Sequence, residues 1–322
     1  MPSLKEIKTR ISSVNSTRKI TSAMKMVASS KLHHAQIMIG NMLPYETMLE
    51  HILKTFISSD AELKSVYAQE RPVKNVALVV FSSNSSLCGG FNANILKMMH
   101  QAIDGYSQLG KENFIIYPIG RKVAENVQKT GYKSAGNYNE LADKPNVQQC
   151  IAIVKELGQK FVKGEIDKVE LIYHHFKSAG SQILTRKTLI PIDVTTELAR
   201  DHERDLEMTI VTKETQEYLR KKGKNSQSTS DIRVTPLNDN YIVEPDMDTI
   251  LNTLVPKMVN LMLYTALLDS NASEHAARMV AMQTATDNAD ELLRILNLQY
   301  NKSRQQAITN ELLDIVGGSV NN

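Results

Sequence analysis

LVPKMVNLMLYTALLDSNASEHAARMVAMQTATDNADELLRILNLQYNKSRQQA, residues Leu254 to Ala307, carries an apolar repeat alternating four and three residues. Counted from Leu254, the template falls on Met258, Leu261, Thr265, Leu268, Ala272, His275, Met279, Met282, Thr286, Ala289, Leu293, Leu296, Tyr300, Ser303 and Ala307. Twelve of the sixteen positions are apolar, which is the pattern of a coiled-coil seam. No Gly or Pro falls between Lys257 and Val316, so nothing there forces a break. The stretch predicts a helix of roughly 90 Å at 1.5 Å per residue, far longer than the few turns of an ordinary domain helix. A helix of that length is a shaft or a strut.

The other end of the chain repeats the pattern. From Leu4 the template reads Ile7, Ile11, Val14, Arg18, Thr21, Lys25, Ala28, Leu32, Ala35, Ile39, Met42, Glu46, Leu49, Leu53 and Phe56, again with twelve of sixteen apolar. Gly40 and Pro44 are its only blemishes. A folded middle joins the two segments, so they are expected to pair antiparallel within one chain. A 3.5-residue repeat gives that pair a left-handed supercoil. The plainer alternative is two long helices of an ordinary bundle. Two registers a heptad apart compete. Setting Leu4 opposite Tyr300 places Arg18 opposite Thr286 and Leu32 beside Ala272, and it leaves the chain beyond Tyr300 unpaired. Setting Leu4 opposite Ala307 puts Thr21 against Ala289, two small groups, so filling space favours the first.

Between the ends, Val76 to Ser82, Phe114 to Ile119 and Val169 to Phe176 are β-rich, with helical patterns at Asn92 to Ile103, Arg121 to Lys129 and Val147 to Val162. Strands alternating with helices predict a Rossmann-like α/β domain with a parallel sheet. A further strand, Gln182 to Ile190, follows the turn Ser178-Ala179-Gly180 and is expected to pair antiparallel with its predecessor. Thr195 to Asp231 is densely charged and ends in KKGKNSQSTS, which reads as a surface insertion. The division expected is a helix at 1–57, an α/β domain at 58–245 with its insertion at 195–231, and a helix with its tip at 246–322.

Composition narrows the function classes. The chain has 322 residues, and 38 Lys+Arg against 35 Asp+Glu leave a net charge of only +3, too little to announce a nucleic-acid or membrane partner. The distribution says more, since seven basic residues against Glu6 alone make the stretch from Met1 to His34 basic. Two cysteines are too few for a disulfide framework. The uncharged stretch Met258 to Leu268 is well short of the ~20 residues that span a bilayer. The start MPSLKEIKTR has no apolar signal core, and a bacterial cytoplasmic location is the simplest expectation.

The chain carries neither a Walker A sequence nor a G-x-G-x-x-G. SSLCGGFN, Ser85 to Asn92, joins a strand to a helix, where backbone amides could hold an anion and where Cys88 could act as a nucleophile. A catalytic thiol needs a base, and nothing marks His174 or His175 as one, so a tight structural turn is the better reading. His33 and His34 are adjacent on a helix and point apart, which does not suit a shared metal. No catalytic site, metal site or cofactor site is expected. A basic coiled coil could bind nucleic acid or act as a scaffold. Arg18 and Lys25 sit within the seam itself, however, which favours a mechanical shaft.

IKTRISSVNSTRKITSAMKMVASSKL (Ile7 to Leu32), SSLCGGFN, and SEHAARMVAMQTATDNADELL with YNKSRQQAITNELLDIVGG (from Ser273 to Gly318) closely resemble the gamma subunits of bacterial F-type ATP synthases, in the same order along the chain. The family commonly has Asp-Arg-Gly before Leu-Cys-Gly-Gly, where this chain has Asn84, Ser85 and Ser86. The family's last motif usually reads Gly-Ala, and here it reads Gly318-Ser319. The insertion has no Cys, so the thiol switch of plastid relatives is not expected. The resemblance implies a non-catalytic rotor shaft inside a ring of alpha and beta subunits, standing with the epsilon subunit on a membrane-embedded c-ring. It also implies peripheral attachment at the cytoplasmic face of a bacterial inner membrane. By match to the family's motifs, Arg304 and Gln305 would touch the beta loop that holds the shaft, with Thr309 and Glu311 nearby. Met24, Lys25 and Arg278 would face the acidic beta lobe. Tyr241, Glu244 and Asp246, in YIVEPD, match the foot near the c-ring.

Overall fold

The structure, a computed structural model, describes residues 3–57, 67, 69–192, 244 and 246–320. The insertion at 195–231 and Tyr241 lie outside the described residues. The chain divides into two compact units, Met1–Ser29 with Arg278–Asn322, and Ser30–Ala277.

The first unit is built from the ends of two long helices, α1 (Leu4–Ile57) and the last helix of the chain (Met247–Val320). Ser3 starts α1 with a reciprocal cap. Its Oγ accepts the Glu6 N–H at 3.3 Å and its own N–H donates to Glu6 Oε2 at 2.9 Å, so two donors that the first turn would orphan are satisfied. Between Leu4 and Ala28 every template position of α1 is buried or half-buried. The same holds on the partner helix at Met279, Met282, Thr286, Ala289, Leu293, Leu296, Tyr300, Ser303 and Ala307. The burial therefore follows the counted seam.

The register differs from both expectations. Thr21 Oγ1 lies 2.9 Å from Thr286 Oγ1, and Arg18 Nη1 lies 2.9 Å from Asp290 Oδ1. The helices are antiparallel, but Thr21 faces Thr286 and not Ala289, and Arg18 reaches past Thr286 to Asp290. A slide of half a heptad also keeps both apolar stripes together, and it gives the polar seam residues partners that neither whole-heptad register offers. Polar groups within a seam are effective register markers for this reason. The seam also continues past Tyr300, because Ser303 and Ala307 remain half-buried. Only from Ile308 to Leu313 is every residue exposed.

The second unit contains the α/β domain. Its elements are β1 (Val76–Phe81), α2 (Phe91–Asp104), β2 (Phe114–Ile119), α3 (Arg121–Thr130), β3 (Lys133–Ser134), α4 (Asn139–Asp143), α5 (Val147–Val162), β4 (Lys168–Ser178) and β5 (Ser181–Ile190). The helix beginning at Met247 is α6. Asp246 caps it, accepting the Thr249 N–H and hydroxyl at 2.8 Å each. The sheet order is β3-β2-β1-β4-β5, with the first four strands parallel and β5 antiparallel to β4. All six residues of β1 are buried, as a central strand covered on both faces requires. Pro118 is tolerated in β2 because β3 pairs only with Ile115 and Ile116, so no ladder bond is lost at the proline.

Apolar residues at helical spacing pin the helices to the sheet. Phe91, Ile95, Met99, Ala102 and Ile103 form the buried face of α2, and all but Phe91 pack, with Val123 and Val127 of α3, on β1, β2 and Ile172 of β4. Each of the larger side chains contributes about 1.5–3 kcal/mol by leaving water. The turn from β2 into α3 passes against the end of β1. Gly120 has φ +100°, and a Cβ there would meet Ser82 O at 2.1 Å, so only glycine fits.

Candidate functional site

Strand order reverses between β1 and β4, and in α/β sheets the crevice outside the carboxyl ends of the strands at such a point is where ligands bind. Here the crevice is filled by the chain itself. Leu267, Ser270, Asn271 and Glu274 of α6 lie against Phe81, Ser82, Ser83, Asn84, Ile119, Ala142 and Asp143, leaving a cavity of about 20 Å³. That is room for about one water molecule, not for a nucleotide. Helix α6 is buried on all sides from Ala266 to Ala276, as a helix running through a protein interior must be.

The side chains that seat α6 are polar, and nothing in the sequence pattern singled them out. Asp269 is 1% exposed, and its Oδ2 lies 2.6 Å from His175 Nδ1 on β4. Ser273 donates to the His174 carbonyl at 3.2 Å, and Asn271 Nδ2 donates to the Ala142 carbonyl at 2.8 Å. The one available signal was the presence of polar residues on every side of a helix segment too apolar to be solvated. His174 and His175 point to opposite faces of β4. While His175 meets Asp269, His174 stacks on Phe91 with ring centroids 4.4 Å apart, and burial pulls its pKa down to about 4.

SSLCGGFN is a closed structural turn. Cys88 is 1% exposed, and Asn92 donates to its Sγ at 3.1 Å while accepting the Ser83 N–H at 3.1 Å. Leu87, at φ 69°, holds a left-handed backbone that a branched side chain rarely adopts, and it is exposed. Asn84, where the family commonly has Asp, donates to the Asn139 carbonyl and to Asp143 Oδ2 at 2.7 Å each, and it accepts the Arg121 N–H at 2.9 Å. A carboxylate at that position would face Asp143 without a proton to share. The amide thus fits its surroundings.

The opposite end of the sheet holds a buried charge cluster. Glu170, 2% exposed, accepts two bonds from Arg186 at 2.8 and 3.0 Å and one from Tyr106 at 2.6 Å, and Lys168 Nζ lies 3.2 Å away. Burial alone would raise the Glu170 pKa, but Arg186, Tyr106 and Lys168 outweigh it and hold the carboxyl below its ordinary range.

The residues expected to contact partners fall into separate groups. Met24, Lys25 and Arg278 are half-buried in the first unit. Arg304, Gln305, Thr309 and Glu311 are all exposed on α6, roughly 39 Å beyond Arg278 at 1.5 Å per residue. Thr309 binds back to the Gln305 carbonyl at 2.9 Å, leaving the Arg304, Gln305 and Glu311 side chains to solvent alongside the exposed Ile308, Leu312 and Leu313. Glu244 and Asp246 are exposed, with Asp246 engaged in the α6 cap. Within the first unit, Arg278 and the group from Arg304 to Glu311 lie too far apart along α6 to share one site. Among the described residues no cluster of His, Cys, Asp and Glu is placed to hold a metal.

Residues 3–320 match the family model described as ATP synthase. The chain is 52% identical to the ATP synthase gamma chain of Phocaeicola vulgatus, over 99% of this chain and 100% of that one. It is also 52% identical to the ATP synthase gamma chain of Bacteroides fragilis, with the same coverage. Among solved structures, a chain of the Euglena gracilis mitochondrial ATP synthase is similar with a TM-score of 0.60 and 17% identity, over 98% of this chain and 93% of that one.

Proposed function

The chain belongs to the ATP synthase gamma-chain family, and on that premise we propose how its parts serve a rotor. It is the central-stalk subunit of an ATP synthase and is itself non-catalytic. The paired helices stand within a ring of three alpha and three beta subunits, and the α/β domain sits with epsilon on the c-ring. One chain cannot match the threefold ring, so each beta subunit meets a different face of the shaft and prefers a different nucleotide state. Turning the shaft moves those preferences from site to site, which couples ion flow to ATP synthesis through differential contacts.

Arg304, Gln305, Thr309 and Glu311 would be held by the beta loop around the tip. Met24, Lys25 and Arg278 would meet the acidic beta lobe, with the basic N-terminal stretch complementing that charge. Tyr241, Glu244 and Asp246 would belong to the foot on the c-ring. The working division is then a shaft helix at 1–57, a mount at 58–245 and a shaft with its tip at 246–322, peripheral to the cytoplasmic face of the bacterial inner membrane. The reported relatives give no support to a nucleic-acid-binding coiled coil.

One observation carries this reading beyond the family likeness. The crevice that would make the α/β domain a ligand-binding module is occupied by α6, so the domain holds the helix in place of a ligand. Mixing the purified chain with alpha and beta subunits is expected to yield a stoichiometric complex that hydrolyses ATP, while the chain alone does not. Hydrolysis by the pure chain, abolished by changing one of its own residues, overturns the reading.

A further inference from the structure

A rotor has a mechanical problem that neither the seam nor the tip addresses. Torque must pass between the α/β domain and the helix that runs through it, and close-packed apolar side chains resist rolling of the helix without fixing one orientation as sharply as directional bonds do. Hydrogen bonds are directional and weaken steeply when bent. A torque joint therefore calls for polar attachments on more than one side of the helix.

The middle of α6 has that arrangement. Asp269 and Ser273 are four residues apart, about 40° around the helix, and both reach β4, through His175 at 2.6 Å and the His174 carbonyl at 3.2 Å. Asn271 lies about 200° from either of them, on the far side, and donates to the Ala142 carbonyl at 2.8 Å. Rolling the helix either way stretches one set or the other. All three residues are buried, so water cannot replace a broken bond cheaply. The other long helix meets the same place: Glu46 of α1 and Lys187 of β5, both buried, line a cavity of about 20 Å³ with His175 and Asp269.

We propose that Asp269, Asn271 and Ser273 are positioning residues that lock the rotational setting of α6 in the α/β domain and form the joint through which torque crosses to the shaft. The proposal rests on the rotor reading above. The joint acts through geometry alone, with no chemistry of its own.

The test uses the intact ATP synthase containing this chain, with the shaft end held by a nucleotide-locked ring and a probe fixed to the α/β domain. The angular variance of the probe reports torsional stiffness. The variant His175→Phe/Asp269→Leu/Asn271→Leu exchanges buried polar groups for apolar ones of similar bulk, a swap that folded proteins often tolerate. It is expected to assemble and hydrolyse ATP. Its stiffness should fall clearly below wild type, since two of the three buried polar attachments are gone. Ser273→Ala and Asn271→Leu singly should each lower the stiffness by less than the triple variant does, and they decide the question if the triple variant does not assemble. Wild-type stiffness in any assembled variant overturns the joint while leaving the rotor reading intact. A wild-type chain that never enters the complex refutes the rotor reading instead.

Discussion

Replacing Glu170 is expected to cost more than any other single polar change in the α/β domain. Its carboxylate is 2% exposed and holds two strands and a helix together, through Arg186 on β5, Lys168 on its own strand and Tyr106 just after α2. Glu170→Ala leaves Arg186 and Tyr106 facing a gap. Breaking a buried ion pair typically costs about 3–5 kcal/mol. Arg186 is 36% exposed and can turn toward water, so the low end of that range applies, about 3 kcal/mol. Glu170→Gln keeps the shape and some acceptor capacity and should cost about 2 kcal/mol. Proton linkage supplies the sharper test. Because the folded pKa lies below the unfolded one, the carboxylate stabilises fully above the ordinary Glu value of about 4.3, and the contribution is lost as pH falls through the folded pKa. Amide hydrogen exchange along β4 and β5 reads this locally. Glu170→Gln should speed exchange there at pH 7 and approach wild type under strongly acid conditions. A gap between the two proteins that stays constant with pH refutes the assignment of the stabilisation to the ionised cluster.

His174, whose pKa falls to about 4 on burial, is neutral when folded, while the unfolded chain takes up the proton near pH 6.5. Stability should therefore decline between pH 6.5 and 4 by about 3 kcal/mol, and His174→Phe should flatten that decline in a denaturant titration. Asn84→Asp should destabilise the β1–α2 turn by about 1–3 kcal/mol through repulsion from Asp143, and adding Asp143→Asn should recover most of the loss. A double variant no better than the single one sinks that account. Truncation after Tyr300 should leave the α/β fold in place with α6 shortened, the helix signal in circular dichroism falling only by the residues removed, because the seam beyond Tyr300 holds only Ser303 and Ala307. Coupling of ATP synthesis to ion flow should weaken, and unchanged coupling means Arg304 and Gln305 are dispensable.

Much of the fold was legible because its signals are periodic. Helix α5 runs from Val147 to Val162, the expected span, and the template positions of both terminal helices up to Ala28 and from Met279 are the buried ones. The register was not legible, since it is decided by two polar contacts, Thr21 with Thr286 and Arg18 with Asp290, that counting apolar residues ignores. Glu170 was invisible for a related reason. It sits in a strand buried along most of its length, and its partner Arg186 pairs with Ile172 across the ladder, so the contact is diagonal and depends on a register no short motif encodes. The filling of the crevice by α6 was equally hidden. The strands and the helix are each readable, but their meeting joins residues nearly two hundred positions apart.

As a central-stalk rotor, this chain turns relative to the ring around it. A rod attached to the α/β domain, in a complex whose alpha and beta subunits are fixed to a surface, tests it most directly. Rotation in one direction, in steps of about 120° set by the threefold ring, on addition of ATP is the predicted result, and sustained ATP hydrolysis with the rod at rest contradicts it.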